Sequence, residues 1–237
     1  MFLINYKSMK KNLIVLSGAG MSQESGIPTF RDMGGIWEQY DVMEVASPQA
    51  WAKNPQLVLN FYNQRRKKLL ESSPNRGHEI IAELEADFNV IIVTQNVDDL
   101  HERAGSSNIL HLHGELRKVR STSYPHLVYE LSGWELKLGD LCEKGSQLRP
   151  HIVWFGESVD NIGKAQQIVE TADILVVVGT SLNVYPAAGL VHYAPVKTPI
   201  FVVDPSKPSI VSNNKTVFIT EKATTGLEKL KDMLKSL

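Results

Sequence analysis

Only one cysteine, Cys142, occurs in 237 residues. That excludes an internal disulfide and any metal site built from several thiolates. No apolar stretch approaches the length needed to cross a bilayer. The opening segment Met1-Phe-Leu-Ile-Asn-Tyr-Lys-Ser8 turns polar too soon for a secretory signal. Met9-Lys10-Lys11 offers a second start, so residues 1–8 read as a dispensable tail. Charge is nearly balanced, at a formal net −1, which gives no general attraction to nucleic acid or to an anionic membrane. A local basic patch remains at Arg65, Arg66, Lys67 and Lys68. Hydrophobic residues make up 43% and charged residues 22%, as in an ordinary globular protein. A cytoplasmic monomer, with no nucleic-acid or membrane partner, is the plain expectation.

What is present is a rhythm. Leu13-Ile-Val-Leu, Val90-Ile-Ile-Val, Ile174-Leu-Val-Val-Val and Ile200-Phe-Val-Val are short apolar runs of the kind that form buried strands. Each ends in a polar or glycine-bearing segment: Ser17-Gly-Ala-Gly, Thr94-Gln-Asn, Gly179-Thr-Ser and Asp204-Pro. Helical patterns at 55–71, 77–87, 159–172 and 223–236 separate them. The alternation predicts an α/β fold, a Rossmann-like parallel sheet with helices on both faces. Ligands of such sheets bind beyond the carboxyl ends of the strands, where the four polar segments sit.

Two stretches break the rhythm. Residues 27–50 carry Pro28, Gly34, Gly35 and Pro48 and read as a long loop with short helical pieces, a feature that usually serves function. Residues 117–150 are polar and irregular and read as a small inserted module. The expected organisation is one catalytic domain over 1–237, its larger part near 9–116 and 151–237.

Gly18-Ala19-Gly20 follows the first strand, with Gly26 shortly after. Glycines there allow backbone amides to approach a pyrophosphate, although a structural turn accounts for them equally well. A dehydrogenase fingerprint wants a third glycine where Gln23 stands, and a second strand ending in an acid where the 27–50 loop lies. No Gly-Lys-Ser/Thr follows the turn, which excludes a P-loop.

The full string Gly18-Ala-Gly-Met-Ser-Gln-Glu-Ser-Gly-Ile-Pro-Thr-Phe-Arg-Asp32 resembles the signature of the sirtuins. So do Thr94-Gln-Asn-Val-Asp98 with Leu100-His101, His113-Gly114, Arg149-Pro-His-Ile-Val-Trp-Phe-Gly-Glu157 and Gly179-Thr-Ser-Leu182. The resemblance covers residues 12–236 in the family's order. It implies an enzyme that removes acyl groups from protein lysines and consumes NAD. The acyl oxygen would attack the ribose carbon bearing nicotinamide, giving nicotinamide, free lysine and an O-acyl-ADP-ribose.

Carried over by position, the resemblance implies NAD contacts at Gly18, Ala19, Gly20, Ser22, Thr29, Phe30, Arg31 and Trp37. Arg31 suits phosphate or hydroxyl oxygens through its guanidinium fork. Gln95, Asn96, Val97 and Asp98 would stand at the nicotinamide end, although Asn and Asp also end strands and cap helices. Gly179, Thr180, Ser181 and Ala223 would complete the cofactor set, with Asp204 where the family commonly has asparagine. Val203 and Pro205 flank it. His113 would be the general base, since an imidazole can take a ribose hydroxyl proton near neutral pH. His78, His111, His126 and His192 read as structural. Val153, Phe155, Gly156 and Tyr185 would hold the acylated peptide as an added strand, although Val153 and Trp154 also read as core strand residues.

Most sirtuins hold a zinc on two Cys-x-x-Cys pairs, whereas this chain has only Cys142 and His126 in the module. No metal is expected there. Packing through Trp134, Leu136, Leu138 and Leu141 would hold the module instead. Phe61-Tyr-Asn-Gln-Arg-Arg66 resembles the branch preferring succinyl, malonyl or glutaryl lysine, and Ala46 matches its small pocket residue. Tyr62 and Arg65 share a helix face and would grip the distal carboxylate, although an ordinary amphipathic helix also accounts for them. Rival activities on the same fold are ADP-ribosyl transfer to protein and plain NAD hydrolysis.

Overall fold

The computed structural model describes residues 10–29, 41–206, 208 and 215–235. Six strands form one wholly parallel sheet: β1 (Asn12–Ser17), β2 (Asn89–Thr94), β3 (Ile109–His111), β7 (Ile174–Val178), β8 (Ile200–Val203) and β9 (Thr216–Ile219). Their order is β3-β2-β1-β7-β8-β9. Counted within this sheet, that is the doubly wound order in which connection direction reverses between β1 and β7. The predicted parallel α/β fold is therefore present. Every residue of β7 is buried, as expected for a central strand covered on both faces.

Strand alternation assigns the two cores. Leu13 and Val15 face the helices α5 (Arg76–Glu83) and α8 (Ala223–Leu234), together with Ile80, Leu227 and Leu230. Ile14 and Leu16 face the other way, toward Ala165 and Val169 of α7 (Ile162–Glu170) and the 3₁₀ segment Ala187–Tyr193. Burying one such side chain contributes about 1.5–3 kcal/mol. The sheet thus rests on period-two apolar runs read by two helical layers.

The edge strands β3 and β9 do not stand out in the sequence. Each is short and only partly buried, so its apolar signal is weak. A one-turn helix, α1 (Gly20–Gln23), follows β1, and the described part of the 27–50 loop leads through α2 (Val42–Val45) into α3 (Pro48–Lys53), the last two started by side-chain caps, Asp41 and Ser47. Asn54 caps α4 (Pro55–Glu71), and Pro55 occupies its first turn.

A second sheet, antiparallel, joins β5 (Val128–Glu130), β4 (Gly114–Ser121) and β6 (Leu148–Ile152). The expected packing of the module is corrected in part: Leu136 is buried, but Trp134, Leu138 and Leu141 are exposed. Leu136 packs with Val119 and with Leu59 of α4, and two polar residues of α4 add to that hold. Arg66, 0% exposed, donates to the carbonyls of Leu116 and Trp134, both at 2.7 Å, and to Asn63 Oδ1 at 2.9 Å. Asn63 in turn donates to Leu136 O and accepts from Leu136 N, both at 2.9 Å. Arg66 therefore does not belong to a solvated basic patch. Cys142 is buried and donates to Ser121 Oγ at 3.3 Å, while His126 is exposed beside Tyr124. Among the described residues no helix is long and apolar enough to cross a membrane.

Candidate active site

The carboxyl ends of β1 and β7 meet at the sheet's switch point. Gly18 N donates to Val178 O at 3.0 Å and Gly20 N to Gly179 O at 2.8 Å. A Cβ on Gly20 would lie 2.8 Å from Gly179 Cα, and one on Gly18 would lie 2.7 Å from Thr180 Cβ. Gly179 itself has φ +60, and its Cβ would overlap Met21 N and Gly20 C. These glycines are needed because two loops cross in contact, which differs from the amide-donor role suggested by the sequence. Among the described residues, Ala19 N–H in the turn has no protein acceptor.

Below the turn, a hydrogen-bonded chain links four elements. Asn96 Nδ2 donates to Ser22 Oγ at 3.1 Å, and Ser22 Oγ donates to Asp98 Oδ2 at 2.9 Å. Asp98 Oδ1 accepts from Leu100 N at 3.3 Å, the first residue of α6 (Leu100–Arg103). Burial raises the Asp98 carboxyl above its usual range, against the pull of Ser22. Asn96 N is fixed by Thr94 Oγ1 at 3.0 Å, and Thr94 Oγ1 accepts from Ser17 Oγ at 2.8 Å. Gln95 Nε2 donates to Thr180 Oγ1 at 3.2 Å, joining β2 to the loop after β7.

His113 sits between the sheets, just before β4. Its Nδ1 is 3.0 Å from the Gln95 carbonyl, which can only accept. Nδ1 therefore carries the hydrogen and Nε2 keeps the lone pair. Burial lowers the imidazole below its ordinary value, so the neutral form holds at neutral pH. The His113 carbonyl accepts from Val153 N at 2.9 Å, and Phe155 N donates to Ala46 O at 3.0 Å. Gly114 takes φ +84, and a Cβ there would overlap His151 O, so only glycine lets β4 start this close to β6.

The loops that follow β1, β2 and β7 open, with His113, onto one cavity of about 730 Å³, within the range of about 300–1,000 Å³ typical of small-molecule sites. Its wall includes Gly18, Ala19, Gly20, Ser22 and Thr29 from the first loop, and Gln95, Asn96, Val97 and Asp98 from the second. Gly179, Thr180, Ser181, Val203, Asp204, Pro205 and Ala223 line another side. His113, Ala46, Tyr62, Arg65, Val153, Phe155, Gly156 and Tyr185 complete the positions expected from sequence. Phe30, Arg31 and Trp37 lie outside the described residues. Asp204 Oδ1 accepts from Ser206 N and Oγ, at 2.9 and 2.7 Å.

Tyr62 is 1% exposed, and burial pushes its hydroxyl up to about 12, so it stays a neutral donor. The half-buried Arg65 guanidinium lies 5.7 Å from the Tyr62 ring centroid and 5.7 Å from that of Phe61. Burial lowers its pKa, with Tyr62 and Asp98 opposing. Trp154 and Glu157, inside the Arg149–Glu157 string but not among the individual contacts expected from it, also line this wall. The available signal was chemical: a buried indole N–H needs an acceptor.

Comparison with known proteins agrees with this geometry. Residues 18–186 match the description "Sir2 family". A Bacteroides thetaiotaomicron protein named NAD-dependent protein deacylase is 56% identical over 230 residues, covering 94% of this chain and 98% of that one. A Helicobacter pylori protein of the same name is 54% identical over 222 residues, covering 93% and 94%. A solved Sir2 homologue in complex with NAD superposes with TM-score 0.85 at 41% identity, covering 96% of this chain and 90% of that one. By sequence match, cavity and topology together, the chain belongs to the Sir2 family.

Proposed function

We propose that this chain is an NAD-dependent protein-lysine deacylase that accepts dicarboxylic acyl groups, such as succinyl and malonyl, as well as acetyl. Its relatives carry the deacylase name, and the enzyme class and the use of NAD follow from that kinship. The cavity suits an extended dinucleotide. It runs along the carboxyl ends of β1, β7 and β8, offers the Ala19 amide at one turn, and carries the Asp204 carboxylate at the end of β8. Bound NAD supplies an electrophilic ribose carbon from which nicotinamide can leave.

The chain's own residues would do the rest. Ser22, Asn96 and Asp98, already tied to one another, present a fixed polar floor. Fixed dipoles need no reorganisation when charge develops. His113 Nε2 accepts a proton from a ribose hydroxyl while Gln95 O holds the ring's tautomer. Phe155 and Tyr185 at the cavity rim, with Val153 and Gly156, flank the acylated peptide in an extended form.

The acyl reading is carried by one observation: Tyr62 and Arg65 line the same cavity as His113, beside the small Ala46. A distal carboxylate there meets a neutral O–H donor and a guanidinium. Arg65→Met should therefore lower the succinyl-over-acetyl ratio of kcat/KM by about ten- to a hundredfold, the worth of a charged hydrogen bond. Equal losses on both peptides would show that Arg65 supports the helix and would remove the dicarboxylic assignment. Mass analysis of the products should find O-acyl-ADP-ribose; free ADP-ribose or modified protein would point to the hydrolase or transferase activity.

A further inference from the structure

Behind the Tyr62 hydroxyl lies a braced indole. Trp154 is 2% exposed, just past the end of β6. The Arg149 guanidinium lies 3.3 Å over its ring centroid, and the Trp51 ring packs against it at 5.8 Å. Glu157 accepts from both terminal nitrogens of Arg149, at 2.7 and 3.0 Å, and from Trp154 N at 2.8 Å. Arg120 reaches the same carboxylate at 3.2 Å. Charge-assisted, bidentate bonds of this kind fix both depth and tilt of the ring.

The brace controls a hydrogen. An indole N–H can only donate, and Trp154 Nε1 donates to the Tyr62 hydroxyl oxygen at 3.0 Å. That bond occupies a lone pair and turns the Tyr62 hydrogen away from Trp154. Among the described residues no protein acceptor takes that hydrogen, and Tyr62 lines the cavity. A hydroxyl free to rotate would show a carboxylate either a hydrogen or a lone pair. A carboxylate only accepts, so the second orientation repels it.

We infer that Trp154 is a positioning residue for acyl selection, whose indole N–H makes the Tyr62 hydroxyl a committed donor toward a carboxylate-bearing acyl group. This rests on the acyl-pocket reading of Tyr62 and Arg65 and extends it to a residue that need not touch the substrate. The buried position is thereby spent on direction of a hydrogen bond, with Arg149 and Glu157 as its frame.

The test is a double-mutant cycle on the full chain with NAD and matched acetyl- and succinyl-lysine peptides. Trp154→Phe removes the donor and keeps a ring; Tyr62→Phe removes the hydroxyl. Trp154→Phe should lower the succinyl-over-acetyl ratio of kcat/KM by about three- to tenfold, the range for one neutral hydrogen bond, through KM of the succinyl peptide. In the Tyr62→Phe background the same change should shift the ratio no further. If Trp154→Phe does not fold, replacing Trp154 with 3-benzothienylalanine, which keeps the bicycle and lacks the N–H, gives the same readout. An unchanged ratio, or equal shifts with and without the Tyr62 hydroxyl, overturns the positioning role. Arg65→Met run beside it separates the two claims. A selective Arg65 effect without a Trp154 effect sinks only the positioning role, and no selectivity in any variant sinks both.

Discussion

His113 shows how much a single contact decides. The neighbouring His111 is committed at both ring nitrogens: its Nδ1 meets Asn96 O at 3.0 Å and its Nε2 meets Glu102 at 2.8 Å. His113 spends only Nδ1, on the Gln95 carbonyl. Replacing it with alanine should leave folding and NAD binding intact while turnover falls about 10²–10⁴-fold, the usual worth of a positioned acid–base group. Calorimetric NAD titration beside kinetics checks both halves. Since burial lowers its pKa, the base form persists into mildly acid solution. The acid limb of kcat/KM should therefore fall off below pH 6.5, the ordinary histidine value. A limb centred above that value would assign the proton transfer to another group. The residue type alone could not mark His113 in the sequence, because the carbonyl that sets its tautomer belongs to Gln95, just past the end of β2.

At the scale of an element, α4 works on two sides. Tyr62 and Arg65, three apart, reach the cavity, while Asn63 and Arg66, also three apart, reach the small sheet. The helix itself was legible from its period, its Asn54 cap and Pro55. The role of Arg66 was not, because in a string of four cations nothing local marks the one that is buried. Burial lowers its pKa to about 10, so it remains charged at neutral pH. Arg66→Met would leave the Leu116 and Trp134 carbonyls short of a donor, at about 1–3 kcal/mol for each group left unsatisfied, while Asn63 Oδ1 keeps Leu136 N. Urea unfolding should show a loss of several kcal/mol, whereas Lys67→Met at an exposed position should change little. If packing and the Arg66 clamp hold the small sheet, a chelator should leave the melting temperature unchanged, and purified protein should contain no stoichiometric zinc. One tightly bound zinc per chain would mean that the clamp is secondary to a metal.

Over the whole molecule, the central strands, the main helices and the convergence of polar segments at one sheet end were legible, because each rests on local periodicity. What stayed hidden are relations between distant segments: the two edge strands, the crossing of Gly20 and Gly179, and the pairing of Trp154 with Tyr62. A buried knot of the same kind bears on stability. The rings of His78 on α5 and His101 on α6 meet edge to face at 4.9 Å, and His101 Nε2 lies 3.0 Å from Ser17 Oγ at the end of β1. Burial lowers His78 to about 4 and His101 well below the ordinary value. The unfolded chain would take up these protons near pH 6.5, while the folded chain refuses them. The unfolded state then binds more protons, so stability rises with pH across this interval. The contribution is complete above about 6.5 and is lost as pH falls, levelling off for His78 below about 4. Each imidazole can add a slope approaching about 1.4 kcal/mol per pH unit. His113 and His151, also lowered by burial, act in the same sense. His111, raised through Glu102 although burial opposes it, acts in the opposite sense, but above 6.5. Comparing His78→Gln with the parent isolates one imidazole. Between pH 6.5 and 5 the parent should lose urea-unfolding free energy faster than the variant, by up to that single-group slope. Parallel lines for the two proteins would mean that His78 takes its proton inside the fold, and that the knot yields to acid without opening.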